Sequence, residues 1–334
     1  MKLMPIKFAP LPLPLSFISV SLPKSFIPLS RSYTMTTMTT KTTHIDRTAH
    51  EPRDNVLFPF PHLSPTYHPH HPPLPPLLPP SPAPQQPIHF LPGQWLDLYH
   101  PPFPPHQKPG GFTITSPPQS PYLELAIQSS PSNPPAAYLW QAPPSSLLNT
   151  PVRVRIGGSF VYPPPSSIQY KKVVFVAGGV GINPIMSMLS HLSTLSLRER
   201  KEKEVVVLYG IKDPDGVIQN GDTSQALFLD RIAGLFAGED GLRGNIELFL
   251  TGGTTKDSSE CGPEKLIQAD GVQLPFVKRR IGLPDLAEAI GEEKDETVVY
   301  ICGVPSMTDQ LVEGLTSPQG LGMDEKRVLY EKWW

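Results

Sequence analysis

"VVFVAGGVGINPIMSML", residues 173–189, sets three glycines between a β-branched run and an apolar helix pattern. Val173–Val176 reads as a buried strand, and from Ile182 the apolar residues fall at helical spacing. Gly178, Gly179 and Gly181 let the backbone turn sharply and approach a neighbour with no Cβ in the way. A helix starting there presents unpaired N–H groups and the positive end of its dipole, which suits a phosphate. The spacing is neither G-x-G-x-x-G nor a loop ending in Gly-Lys-Ser/Thr. Two readings stay open, a phosphate cradle and a tight turn for close helix–strand packing.

The flanks decide the fold class. After Lys171, strand-like and helix-like runs alternate: "KKVVFVA", "INPIMSMLSHLSTLS", "EVVVLYG", "SQALFLDRIAGLF" and "NIELFLT". A Gly-, Ser- and charge-rich loop is expected over 252–280. Then come "LPDLAEAIG", "TVVYICG", "PSMTDQLVEGL" and a last strand, "RVLYEKWW". This alternation predicts an α/β Rossmann-like domain with a parallel sheet, over 170–334. Upstream, "IHFLPGQWLDLYHP", "GGFTITS", "YLELAIQSS" and "VRVRIGGSFVYP" alternate apolar and polar residues between turn signals. They predict a small all-β barrel over 48–168, joined through "PPPSSIQ". The 334 residues leave room for about two domains of ~150 residues each.

Composition narrows the function. Net charge is −2, so no basic field draws in nucleic acid. Two cysteines, Cys261 and Cys302, build no disulfide framework. Thirteen of the 45 prolines fall in 59–87, among His68, His70 and His71, and predict an extended Pro-rich insertion. No metal site is expected there. Residues 1–47 read as a targeting or disordered segment: before Asp46 there are five Lys and Arg, many Ser and Thr, and no acid. "LSRSYT" (29–34) resembles a processing site and points to a mitochondrial transit peptide. A secretory signal is the rival, and a start at Met35 or Met38 would give a cytoplasmic form. No run reaches the ~18 apolar residues of a membrane helix.

Taken in order, "PGQW" (92–95), "AGGVGINP" (177–184), "ICGVPSM" (301–307) and the terminal "EKWW" resemble the ferredoxin–NADP reductase superfamily. With "GGFTITS", "SNPPA" and "VRIGGSF" the chain is most similar to the oxidoreductase NAD-binding domain-containing proteins. The resemblance spans residues 88–334. It implies an all-β flavin-binding-type barrel ahead of the nicotinamide-binding domain, and hydride transfer between NAD(P)H and a flavin. It places Gly178, Gly179, Val180, Gly181, Ile182 and Asn183 on the dinucleotide pyrophosphate. Cys302 falls beside the nicotinamide, with Gly303 allowing close approach. Glu331 matches a carboxylate near the nicotinamide–flavin contact, and Trp333 and Trp334 match aromatics that cover a ring. Barrel residues Phe112 and Thr113 match a stacking ring and a hydroxyl facing flavin N5.

Two departures concern the flavin phosphates. Gly110 stands where the family has an arginine, and "SNPPAAYLW" lacks the family's Gly-x-x-Ser. FAD is implied with altered phosphate contacts. "ICGVPSM" also puts Val304 where the family has proline. NAD is favoured over NADP because "TGGTTKDSS" offers one base, Lys256, beside Asp257. The electron acceptor is external. The other reading is a non-catalytic dinucleotide-binding protein derived from a reductase. Each site residue also has a plain structural reading: Cys302 as a buried strand end, Phe112 and Thr113 as ordinary strand residues, the tryptophans as a tail packed on the core.

Overall fold

A computed structural model of the chain describes residues 16–21, 44–54, 58–60, 64–67, 88–101, 104, 108–130, 133–147, 150–252 and 265–333. Seven strands come first: β1 (Ser16–Ser21), β2 (Phe58–Phe60), β3 (Ser64–Tyr67), β4 (Trp95–Tyr99), β5 (Gly110–Thr113), β6 (Tyr122–Ile127) and β7 (Val152–Gly157). They form two antiparallel sheets, ordered β3-β1-β6 and β2-β7-β4-β5, joined by a bridge between Ile114 and Leu125. Short helices α1 (His44–Arg47), α2 (Pro134–Gln141) and α3 (Pro144–Leu147) accompany them. Strand alternation sorts the faces. Leu96, Leu98, Phe112, Val154 and Ile156 point into the barrel core. The register sets Trp95 opposite Thr113 and Gly157, and Asp97 opposite Gly111 and Arg155, on the other face.

The first strands come from unexpected places. Ser16–Ser21 lies in the segment read as a targeting peptide, yet it pairs with β6 along its length. Without it the β6 edge would expose a row of unpaired backbone groups. β2 and β3 fall in and beside the Pro-rich tract. Pro59 and Pro65 are tolerated because both strands are sheet edges, where a missing donor can face away from the ladder. The rest of the tract, 68–87, lies outside the described residues, as does the processing-like "LSRSYT".

The second half holds β8 (Lys172–Gly178), β9 (Glu204–Lys212), β10 (Gly244–Thr251), β11 (Lys265–Ala269), β12 (Val272–Val277), β13 (Thr297–Gly303) and β14 (Val328–Lys332). Its helices are α4 (Ile182–Thr194), α5 (Leu197–Glu202), α6 (Leu229–Phe236), α7 (Leu283–Ile290) and α8 (Pro305–Thr316). The sheet order is β11-β12-β10-β9-β8-β13-β14, parallel except at β11. One face packs on α4 and α6 through Phe175, Ile185, Leu189 and Ile232; the other packs on α7 and α8 through Val174, Leu286 and Leu311. Among the described residues, no helix is long and apolar enough to cross a membrane.

Two expectations change. The loop expected over 252–280 contains the β11–β12 hairpin. Its turn, Asp270-Gly271, has both residues at positive φ, the backbone that a two-residue hairpin turn needs. The helix expected over 224–236 begins only at Leu229, because Phe228 sits in the left-handed region at φ 62°.

The two halves are latched together. Asn183 Nδ2 donates to the Ala126 carbonyl at 3.0 Å, and Ser187 Oγ donates to that of Ser116 at 2.8 Å. Arg231 pairs with Glu124 at 3.0 Å, and Tyr300 Oη donates to the Val161 carbonyl at 3.0 Å.

Candidate functional site

The strand order reverses between β8 and β13, since connections run outward from β8 on one side and from β13 on the other. Such a switch point opens a crevice beyond the carboxyl ends of the strands. The glycine stretch lies there: β8 ends at Gly178, a single 3₁₀ turn spans Gly179–Gly181, and α4 begins at Ile182.

The three glycines are needed for different reasons. Gly179 is exposed at φ +54°, and a Cβ there would meet nothing within 4 Å. It is glycine for its backbone, and it borders open space. Gly181 is buried against β13: a Cβ would lie 2.5 Å from the Cys302 carbonyl carbon and 2.9 Å from the Gly303 nitrogen. Gly178 and Gly303 bring the two strand ends together, with Met307 filling the space beside both. Phosphate-compatible geometry and close packing therefore coexist in one turn. Val180 is half-buried, while Ile182 is fully buried in the core. Asn183 is also buried, with Nδ2 donating to the Ala126 carbonyl and Oδ1 without a hydrogen-bond partner among the described residues, so Ile182 and the Nδ2 end of Asn183 hold the turn in place.

Cys302 is the last residue but one of β13, its side chain fully buried, paired in the ladder with Ala177 on one side and Glu331 on the other. Burial, and then the Glu331 carboxylate, push the thiol up, so it is a neutral packing group. The Glu331 carboxyl is pushed up to about 8, first by burial and also by nearby Glu51. The Trp333 indole N–H, donating to Glu331 Oε2 at 2.9 Å, acts in the opposite sense. Trp333 is itself fixed by its backbone N–H, which donates to the Gly303 carbonyl at 2.9 Å. Trp334 lies outside the described residues. The structure thus brings Gly178, Gly179, Gly181, Cys302, Gly303, Glu331 and Trp333 to one place.

The barrel side differs from expectation. Phe112 points inward and is 7% exposed, so its ring belongs to the barrel core rather than to a stacking surface. Thr113 is on the other face but buried. At Gly110 a Cβ would sit 2.5 Å from the Phe112 ring and 2.7 Å from Pro135 Cβ, which leaves no room for an arginine. Gly111 forms a floor on which a flat ring can lie, because a Cβ there would fill that cradle. In this structure the ring on Gly111 is the imidazole of His44.

Three features escaped the sequence reading. His44 falls in residues 1–47, which read as a leader, while the rest of its segment, 48–54, falls in the expected barrel. Lys278 and Arg280 follow β12, and the same segment lays Ile281 over Gly210 at the end of β9. With exposed Lys212, they add bases at the carboxyl edge of the sheet. The β11–β12 turn was the available signal that this stretch returns to the edge. Asp213 is buried, and its carboxylate accepts from the Ile218 and Gln219 N–H groups at 3.1 Å, so it serves its own loop. Lys256 and Asp257 lie outside the described residues.

Comparison with known proteins agrees with this geometry. The chain is 32% identical over 256 residues to the Bos taurus oxidoreductase NAD-binding domain-containing protein 1, covering 73% of this chain and 72% of that protein. The chain belongs to this family. The family's Homo sapiens member is 30% identical over 260 residues, covering 75% of this chain and 72% of that protein. No family model matches the chain. Among solved structures, the fold is that of the CS-b5R domains of human Ncb5or in its NAD+ form. The TM-score is 0.53 at 15% identity, over 84% of this chain and 67% of that one. The flavohem-like FAD/NAD-binding domain of nitric oxide dioxygenase from Vibrio cholerae gives 0.50 at 18% identity, over 74% and 86%. The family's fold is therefore that of ferredoxin-reductase-like proteins, a barrel ahead of a nucleotide-binding domain.

Proposed function

We propose that this protein is an NAD(P)H-dependent flavin oxidoreductase with an external electron acceptor. The observation that carries the reading is the meeting of Gly179, open and left-handed, with Cys302, Gly303 and Glu331 at the switch point. A reduced nicotinamide supplies a hydride, which a flavin ring accepts. The chain's own residues bind and orient. The turn at Gly179–Gly181 offers backbone N–H groups to a pyrophosphate. Gly303 keeps the end of β13 free of a side chain, and the neutral Cys302 thiol packs the strand behind it. Glu331 holds a proton near neutral pH. Trp333 donates to its Oε2 and fixes the carboxyl group, so Glu331 is the group that would donate a proton at the reacting end.

The flat cradle over Gly111 fits a flavin ring, and the phosphate end lacks the family's cation at Gly110. That lack, with His44 in the cradle, favours a second reading: a dinucleotide-binding protein that no longer turns over. NADH oxidation with ferricyanide as acceptor separates the two. Turnover in the presence of FAD supports the reductase; NADH binding without turnover supports the second reading. Gly179→Val tests the site itself. A β-branched residue at this backbone angle, projecting into the open space, abolishes NADH binding in the folded variant; unchanged affinity would refute the assignment. We also propose mitochondrial targeting, which the base-rich, acid-free run before Asp46 supports and imaging of a C-terminal fusion of the full chain tests.

A further inference from the structure

Asp97 is the least expected buried group in the barrel. It sits on the face of β4 away from the barrel core and yet is 0% exposed. What buries it is the segment 44–54. Three side chains converge on its carboxylate: His44 Nε2 at 3.3 Å, Arg53 Nε at 3.2 Å and Arg155 Nη2 at 2.7 Å. The His44 ring lies on the Gly111 floor, edge-on to Trp95 with centroids 4.6 Å apart. On the far side it runs nearly parallel to Trp333, with centroids 6.2 Å apart and planes 9° apart. Trp95 lies flat because Gly157 and Gly158 leave room for it, and the Arg53 guanidinium sits 4.8 Å above its ring.

We propose that residues 44–54 are an internal strap whose His44 ring occupies the slot between the Gly111 floor and Trp333, so that the strap and a flavin ring exclude each other. This rests on the reductase reading above, which puts a flavin ring between Thr113 and the C-terminal aromatic. The geometry adds that a ring from the chain itself already fills that space.

The strap is held unequally at its two ends. Its second half is tied to the barrel by the backbone: Asp54 N–H donates to the Ile156 carbonyl at 2.9 Å, and Gly158 N–H donates to that of Pro52 at 3.1 Å. Glu51 Oε2 accepts from Ser159 N–H at 3.0 Å and from its hydroxyl at 2.7 Å. Its first half, α1, is held by the His44 ring in the slot, by that ring's pairing with Asp97, and by an exposed ion pair between Asp46 and Lys108 at 3.7 Å. Arg53 Nη1 donates to the Thr48 carbonyl at 2.6 Å, so the bend between the halves is also fixed through one side chain. Release of His44 leaves Asp97 with both arginines, so the buried carboxylate keeps its partners when the slot opens. The strap can therefore swing about Glu51–Asp54 without stranding a charge. The slot's apparent flavin affinity is then lowered by the fraction of molecules in which it is closed.

The test measures FAD and NADH binding on the same full-length protein. FAD is followed by quenching of its own fluorescence and NADH by calorimetry. His44→Ala opens the slot, and FAD binds at least tenfold tighter than to the wild type, while NADH affinity stays within about twofold. Unchanged FAD affinity in a folded variant that binds NADH normally would overturn the strap. Failure of the wild type to bind NADH would instead overturn the reductase reading. Should His44→Ala not fold, amide exchange of the wild type decides the matter. Raising FAD until its signal saturates speeds exchange across 44–48; protection there that stays the same or increases with FAD bound refutes mutual exclusion.

Discussion

Replacing Gly181 by alanine tests the packing at the heart of the site. The new Cβ would meet the carbonyl carbon of Cys302 at 2.5 Å and the nitrogen of Gly303 at 2.9 Å. Both are backbone atoms of a central strand, so no side chain can swing aside. Overpacking of this kind costs ~1–3 kcal/mol. For a domain of this size each kcal/mol moves the melting temperature by about 2–4 °C. The expected drop is therefore ~2–12 °C, with weaker NADH binding because α4 is pushed off β13. Gly179→Asn is the control. That site has open space around it and needs only a left-handed backbone, which asparagine tolerates better than most residues. Its melting temperature stays close to the wild type. Scanning calorimetry of the three proteins makes the comparison. A Gly181→Ala protein that melts within a degree of wild type, or a Gly179→Asn protein that falls as far as Gly181→Ala, would refute the division of roles between the two glycines.

Other outcomes follow from the same geometry. Glu331 ionises near 4.5 when unfolded and about 8 when folded, so the native state holds the extra proton between those values. Stability from this group is fully present below pH 4.5 and declines as pH rises to about 8; urea midpoints against pH should show the slope, and Glu331→Gln should flatten it. Burial alone would raise Asp97, but the contacts with His44, Arg155 and Arg53 hold it below its ordinary value. Its contribution is lost as pH falls past 3.8, and Asp97→Ala, which leaves the arginines unpaired, costs ~3–5 kcal/mol in chemical denaturation. Arg280→Ala should weaken NADPH more than NADH in parallel calorimetric titrations; an equal loss would remove Arg280 from any role at a 2′-phosphate.

The α/β half was legible because its signals are local. The central parallel strands β8, β9 and β13 carry β-branched runs, and the glycine turn marks the chain reversal at Gly178–Gly181. The hairpin after β10 was legible in principle, through Asp270-Gly271, but the charged stretch before it masked the alternation. The barrel's first strands were not. Ser16–Ser21 takes its place in the sheet through β3, about fifty positions away, and β6, about a hundred positions away, pairings that no local pattern encodes. The site divides the same way. The glycines and Cys302 follow from motif and turn physics. That His44 lies on Gly111 depends on the tertiary path of 44–54, and the inward turn of Phe112 depends on strand register. Neither is written in residue type.

Helix α4 starts in the glycine turn and grips the barrel within its first two turns, through Asn183 and Ser187. These turns are thus a beam with a ligand at one end and a second domain at the other. Occupancy is communicated as stability: ligand at a hundred times its dissociation constant adds ~2.7 kcal/mol to whatever unfolds cooperatively with its site. Because the beam spans both halves, the barrel shares in that gain. Damage also travels the other way. A substitution around Ala126 in β6 or around Ser116, far from any phosphate, loosens the turn and reads out as poor dinucleotide binding. Variants there will then behave like site mutants, and a melting curve with and without NADH will find them before an activity assay does.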